Sequence, residues 1–153
     1  MSCIDKYIDL LKRMSVKITT GQKKPNKAIM LLSVIDLIRC GYITDNKIYI
    51  EDIIQEAFEY NWHKYINSNP PTCWTPFWHL KNEPFWHFKP KISLDEINSL
   101  TKSGETASVL KMRTAIDYTY LDDTLFLLIQ NQESRTLLKE VLINNYIKSF
   151  NIN

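Results

Sequence analysis

Apolar residues recur at helical spacing in two amphipathic segments of the chain. Between Cys3 and Val16, Ile4, Ile8 and Leu11 share one helical face, which predicts a first helix. Residues 51–66 carry apolar side chains on one side in the same way and predict a second amphipathic helix. Both segments therefore need a core to cover their apolar faces.

A third segment, residues 28–38, is almost continuously apolar. It is too long for a usual strand, and Gly41 follows it as a favourable C-terminal cap, so it predicts a buried helix. Asn26 is the residue type expected as its N-cap. Two further helices are predicted near the end of the chain, over about 122–130 and 133–149.

Short alternating patterns predict a small β component. Residues 42–44 and 47–50 flank a polar pair and indicate a hairpin or wing. The aromatic runs Phe77–Leu80 and Phe85–Phe88 predict a pair of short strands, with Trp78 and Leu80 on one face.

The remaining segments complete a mainly α fold. Ser93 begins a pattern typical of a helix start, and residues 101–107 are polar and predict a loop. A length of 153 residues suits one domain, and only three glycines make a turn-rich sandwich or barrel less favourable. We therefore expect an α+β class, as a single compact helical domain over residues 1–153 with short hairpins.

Charge is informative in its distribution rather than in its total of +2. Residues 17–27 contain four lysines and no acidic residue. Such a basic loop can steer a near-neutral domain toward phosphates, although a merely solvated lysine loop is the alternative. The lysines are Lys17, Lys23, Lys24 and Lys27.

Several classes of protein are disfavoured. Three widely spaced cysteines do not indicate a disulfide framework, which fits a reducing cytoplasm. No apolar run approaches a membrane span and no signal-peptide pattern is present, so no membrane partner is expected. Cys73, His79 and His87 lack metal-site spacing, and known catalytic motifs are missing, so no metal, cofactor or catalytic residue is predicted.

Three segments, taken in order, resemble the sulfur-binding domain of phosphorothioate-dependent HNH restriction endonucleases. The resemblance spans nearly the whole chain, and the three motifs together are much more specific than each alone. The segments are Lys24-Pro25-Asn26-Lys27-Ala28-Ile29-Met30-Leu31-Leu32, then Thr75-Pro76-Phe77-Trp78-His79-Leu80 running on to Asn82-Glu83-Pro84-Phe85-Trp86, then Leu121-Asp122-Asp123 through Arg135 to Asn145-Tyr146.

The resemblance implies a module that reads double-stranded DNA carrying a phosphorothioate linkage, as part of bacterial defence by restriction. In that family the nuclease is a separate domain C-terminal to the reader, so this chain is expected to bind rather than cut. The chain departs from the family's His-Lys-Pro at Asn26-Lys27-Ala28, from its motif tyrosine at Thr75, and from its Asn-Asp-Gly turn at Asn82-Glu83-Pro84.

Site residues follow from the resemblance together with the chemistry of the ligand. A reader of this kind needs an apolar socket for sulfur and cations or donors for the surrounding phosphates. The expected sulfur pocket consists of Trp74, Thr75, Pro76 and His79. The expected DNA contacts are Lys24, Asn26, Lys27, Lys81, Asn82, Lys111 and Arg113.

Two other functions remain open at this point. The predicted hairpin over residues 42–50, after a buried helix, would suit a general or modified-base DNA-binding domain of winged-helix-like form, without sulfur preference. The concentration of aromatic residues, with all four tryptophans between residues 62 and 86, would suit a protein-interaction module.

Overall fold

The computed structural model of the chain describes residues 2–93, 95–97 and 108–151. Its secondary structure is mainly helical with two small antiparallel sheets, which confirms the predicted fold class. The α-helices are α1 (Cys3–Lys12), α2 (Asn26–Arg39), α3 (Asp52–Tyr65), α4 (Trp74–His79), α5 (Val109–Ala115), α6 (Asp123–Gln130), α7 (Gln132–Leu142) and α8 (Lys148–Asn151). The strands are β1 (Ile18–Thr19), β2 (Gln22–Lys23), β3 (Trp86–Pro90) and β4 (Ile116–Leu121).

Helix α2 lies at the centre of the core, and helices α3, α4, α6 and α7 pack against it. Its residues are buried on nearly every side, as the continuous apolar run predicts. The helix ends as predicted, because Gly41 has a positive φ of 84° and Tyr42 N–H donates to the Leu37 carbonyl.

The N-cap prediction for Asn26 is wrong. Asn26 is the first helical residue of α2, and Pro25 precedes it without a side-chain capping bond. The Pro25 carbonyl accepts from Ile29 N–H at 2.9 Å, so the first intrahelical bond already includes Pro25. The fixed φ of proline favours this entry into the helix. As a result the Asn26 side chain is not committed to capping.

The predicted pairing of Phe77–Leu80 with Phe85–Phe88 is also wrong. The first run forms α4 and the 3₁₀ turn Leu80–Asn82, and the second belongs to β3, which pairs with β4. Four residues of apolar and aromatic sequence fit a strand or a helical turn equally well. The helix is favoured because it buries Trp74, Phe77 and Trp78, which lie at helical spacing, on one face.

The predicted hairpin over residues 42–50 is wrong as well. In the described backbone, Ile48 makes an isolated antiparallel bridge to Thr119 of β4 instead. A hairpin does form in the basic loop, where β1 pairs with β2 around a two-residue turn at Thr20 and Gly21. Both turn residues have positive φ, 51° and 78°, which suits the twist of a tight hairpin.

In the later part of the chain, the structure contains the helices that the sequence predicts. The helices predicted over 122–130 and 133–149 are present, the second with a π turn at Ile143–Ile147. Ser93 accepts from Glu96 N–H at 3.2 Å, which confirms the predicted helix start, whereas the predicted loop 101–107 lies outside the described residues. No helix in the described ranges has the length and apolarity needed to cross a membrane.

Tyr146 ties the C-terminal helices to the segment that follows α1. Its hydroxyl donates to the Leu11 carbonyl and accepts from Met14 N–H at 3.1 Å. Burial raises the pKa of Tyr146 to about 12, so the hydroxyl remains a donor at neutral pH. The backbone leading into Ser15 is thereby fixed from the far end of the chain.

We predict that Tyr146→Phe lowers the free energy of unfolding by roughly 1–3 kcal/mol, because two buried backbone groups lose their partner. Urea denaturation followed by circular dichroism measures the change. Tyr49→Phe is the matched control, since the Tyr49 side chain is exposed. Equal stability of Tyr146→Phe and the unaltered chain would contradict this role for the hydroxyl.

Candidate functional site

A cavity of about 330 Å³ opens where the segment after α1, the start of α2 and helix α4 meet. Its wall combines basic, polar and apolar side chains from these three parts of the chain and from the 3₁₀ turn after α4. The lining residues are Ser15, Val16, Lys17, Lys24, Asn26, Lys27, Thr75, Pro76, His79 and Asn82. We refer to this cavity as the pocket.

Helix α4 divides its side chains between the core and the pocket. Trp74, Phe77 and Trp78 are buried at positions i, i+3 and i+4, and the Trp74 and Phe77 rings meet edge to face at 5.3 Å. Thr75 and His79, also one turn apart, line the pocket. The amphipathic packing of six residues therefore aims a hydroxyl and an imidazole at the cavity.

Pro76 gives the pocket an apolar wall. Its ring is buried yet lines the cavity, and it is the third residue of α4. Proline is tolerated there because the N–H groups of a first helical turn have no intrahelical acceptor. Val16, half-buried, adds apolar surface from the segment after α1.

Lys27 lines the pocket, but its charge is already paired. Its side chain is 9% exposed, and Nζ lies 2.6 Å from Oε2 of Glu83, whose side chain is 5% exposed. Nζ also donates to the Ser15 carbonyl at 2.6 Å, and Ser15 N–H donates to the same Glu83 oxygen at 3.1 Å. This arrangement, the Lys27–Glu83 pair, fixes three segments of the pocket wall to one another.

The pocket mouth carries exposed cations. Lys17 and Lys24 are exposed lining residues, and Lys24 N–H donates to the Lys17 carbonyl at 2.8 Å. Partial burial lowers the pKa of His79, and the nearby charges of Lys27 and Lys81 lower it further. The lysines thus surround the His79 ring with positive charge, which disfavours its protonation.

The structure brings together seven of the residues that the sequence singled out. They are Lys24, Asn26, Lys27, Thr75, Pro76, His79 and Asn82.

The other four lie outside the pocket lining. Trp74 packs in the core, and Lys81 Nζ lies 5.2 Å above the Trp78 ring. Lys111 and Arg113 belong to α5, where Arg113 Nε donates to the Ile50 carbonyl at 3.3 Å.

Sequence reasoning missed the wall contributed by Ser15 and Val16 and the partner of Lys27. Nothing in the local pattern marks Val16, which ends an ordinary amphipathic segment. The sequence contains a weak indication of Glu83. It is the only acidic residue between the two aromatic runs, and a buried acidic side chain needs a cation as its partner. Within the described residues, no group of three or more histidine, cysteine or acidic side chains is placed to hold a metal ion.

Comparison with known proteins finds a likeness in structure rather than in sequence. No family model matches the chain, and no curated protein matches it. A solved structure described as the sulfur binding domain of SprMcrA complexed with phosphorothioated DNA superposes with a TM-score of 0.67 and 14% sequence identity. The match covers 95% of this chain and 86% of that chain. The chain therefore has the fold of a sulfur-binding domain, as its three motifs implied.

Proposed function

We propose that this chain is a DNA-binding module that holds a phosphorothioate linkage of duplex DNA in the pocket. The observation that carries the proposal is the convergence, in one cavity, of the buried Pro76 ring with two exposed lysines. An apolar wall beside cations suits an anion that is partly hydrophobic. The likeness to a sulfur-binding domain supports the same conclusion at the level of the fold.

The apolar wall provides the preference for sulfur. A phosphorothioate keeps the charge of a phosphate, but its sulfur is larger, more polarisable and a poorer hydrogen-bond acceptor than oxygen. An oxygen placed against Pro76 would lose its water and gain no donor, because proline has no N–H. Sulfur gives up weaker hydration and gains dispersion contact with the ring. The wall thus penalises the unmodified linkage.

Cations at the mouth provide the affinity that both kinds of DNA share. Lys17 and Lys24 are exposed and free to approach the phosphates on either side of the linkage. The Asn26 amide and the first turn of α2 add donors, since N–H groups at a helix start favour anions. This contribution weakens as salt rises, whatever the DNA sequence.

Residues beside the pocket extend the contact along the duplex. Asn82 lines the pocket, and Lys81 precedes it in the 3₁₀ turn. We propose that both reach base edges next to the linkage. Lys111 and Arg113, on α5, are proposed only as contacts to more distant phosphates. The chain acts as the reader, and we assign it no catalytic residue.

The two alternatives from the sequence have less support. A winged helix needs the hairpin over residues 42–50, which the chain does not form. A protein-interaction surface needs exposed aromatic residues in the tryptophan-rich segment, but Trp62, Trp74, Phe77, Trp78 and Trp86 are buried.

We expect a duplex with one phosphorothioate to bind at least about tenfold more tightly than the same unmodified duplex, a difference of ~1.4 kcal/mol. Pro76→Asp should remove this preference and leave weak binding to both, because the carboxylate replaces the apolar wall with a charge. Fluorescence polarisation at fixed salt measures the four affinities.

Pro90→Asp is the matched control, since Pro90 is exposed at the end of β3. It should bind as the unaltered chain does. Equal affinity of the unaltered chain for the two duplexes would overturn sulfur recognition.

Binding to both duplexes should strengthen as the pH falls from 7.5 to well below 6.5, the ordinary pKa of a histidine. The pKa of His79 is lowered, so its ring is neutral at pH 7.5 and gains a positive charge at the pocket mouth on acidification. The affinity should rise roughly two- to fivefold, which is the effect expected of one screened ionic contact.

His79→Asn should flatten this pH profile, whereas the control His63→Asn, at an exposed position on α3, should keep it. Titrations of the three proteins at several pH values give the comparison. Identical profiles for His79→Asn and the unaltered chain would exclude His79 from the anion site.

A further inference from the structure

A buried carboxylate lies directly behind the pocket wall, bonded to a lining residue, which is unexpected for a site that binds an anion. Glu83 is buried, and its Oε2 lies 2.6 Å from Nζ of Lys27, a lining residue. A buried carboxylate repels a bound phosphate group and costs desolvation as well. Its presence therefore calls for a role other than affinity.

The carboxylate neutralises the charge of Lys27, although Lys27 lines the pocket. An ammonium group has three donors, of which one goes to Glu83 and one to the Ser15 carbonyl. Without Glu83, Lys27 would present an unneutralised charge beside the cavity in a poorly solvated position. Such a group would bind any oxyanion strongly, because charge-assisted hydrogen bonds strengthen where water is excluded.

We propose that Glu83 is a specificity-determining residue, which holds Lys27 paired so that an ordinary phosphate gains no strong contact inside the pocket. This inference rests on the proposed function. With Lys27 neutralised, the interior offers uncharged polar groups and the apolar Pro76 ring, so an ordinary phosphate gains no ionic contact there while the ring favours sulfur. The exposed Lys17 and Lys24 at the mouth supply affinity without distinguishing sulfur from oxygen.

The selectivity arises because a phosphate oxygen and a sulfur atom would gain hydrogen bonds of different strength from an unneutralised Lys27. A phosphate oxygen is a strong acceptor and would gain a full charge-assisted hydrogen bond. Sulfur is a weak acceptor and would gain less. Release of Lys27 therefore narrows the gap between modified and unmodified DNA, although it strengthens binding to both.

The competing explanation is a purely structural one. Glu83 accepts from Ser15 N–H at 3.1 Å and so helps position the segment after α1. Glu83→Gln separates the two roles, because the amide keeps the acceptor oxygen for Ser15 N–H and nearly the same volume but no longer neutralises the charge of Lys27. A structural role predicts that both duplexes change by the same factor.

In a titration with both duplexes, Glu83→Gln should bind the unmodified duplex about tenfold more tightly, the effect of one charge-assisted hydrogen bond. It should bind the modified duplex with a smaller gain, so the preference shrinks. Unchanged affinities, or equal changes for the two duplexes, would overturn the proposal.

The double variant Lys27→Met, Glu83→Gln is the control for the freed lysine. With the competing donor removed, the preference for the modified duplex should be close to that of the unaltered chain, even if both affinities are lower. Replacement of both partners of a buried ion pair also leaves no uncompensated charge. If Glu83→Gln alone fails to fold, the double variant tests the proposal by itself. Loss of its preference for the modified duplex would then overturn the proposal.

A titration with inorganic phosphate separates this proposal from the proposed function. NMR of the His79 ring follows binding at the mouth, and Glu83→Gln should bind phosphate more tightly than the unaltered chain does. A gain in phosphate affinity without any sulfur preference in the unaltered chain would reject the proposed function alone. No gain, in a chain that does prefer the modified duplex, would reject the role of Glu83 alone.

Discussion

The buried ion pair between Lys27 and Glu83 holds the pocket together. It joins the start of α2 to the turn after α4, and both partners also bond to Ser15 in the segment after α1. Loss of one partner would strand a buried charge, which is costly, so the three segments are kept in one arrangement. The arrangement thereby connects the segment that carries Val16 and Lys17 to the turn that follows Pro76 and His79.

Helix α4 then supplies the chemistry of the wall with very few residues. One face packs three large aromatic side chains into the core, where Phe77 also meets Trp86 of β3 at 5.2 Å. The opposite face can present Thr75, Pro76 and His79 because the buried rings anchor the backbone. A rigid core contact thus preorganises a small site of mixed polarity, a condition for distinguishing ligands that differ by one atom.

The sequence predicted the parts of this arrangement that local pattern controls. The apolar run of α2 and the amphipathic C-terminal helices were found, and family resemblance placed Lys27, Thr75, Pro76 and His79 near one another. Local pattern failed for α4, since six residues fit a strand or a helix, and for β4, whose partner β3 lies some thirty residues earlier. The pairing of Lys27 with Glu83 joins residues 56 positions apart, so only the folded chain reveals it.

A crystal structure of the chain with a duplex carrying one phosphorothioate tests the central claim most directly, because anomalous scattering locates the sulfur atom. We expect that atom inside the pocket, in contact with the Pro76 ring at about 4 Å, with Lys27 still bonded to Glu83. A linkage bound elsewhere on the surface, for example along α5, would contradict the account.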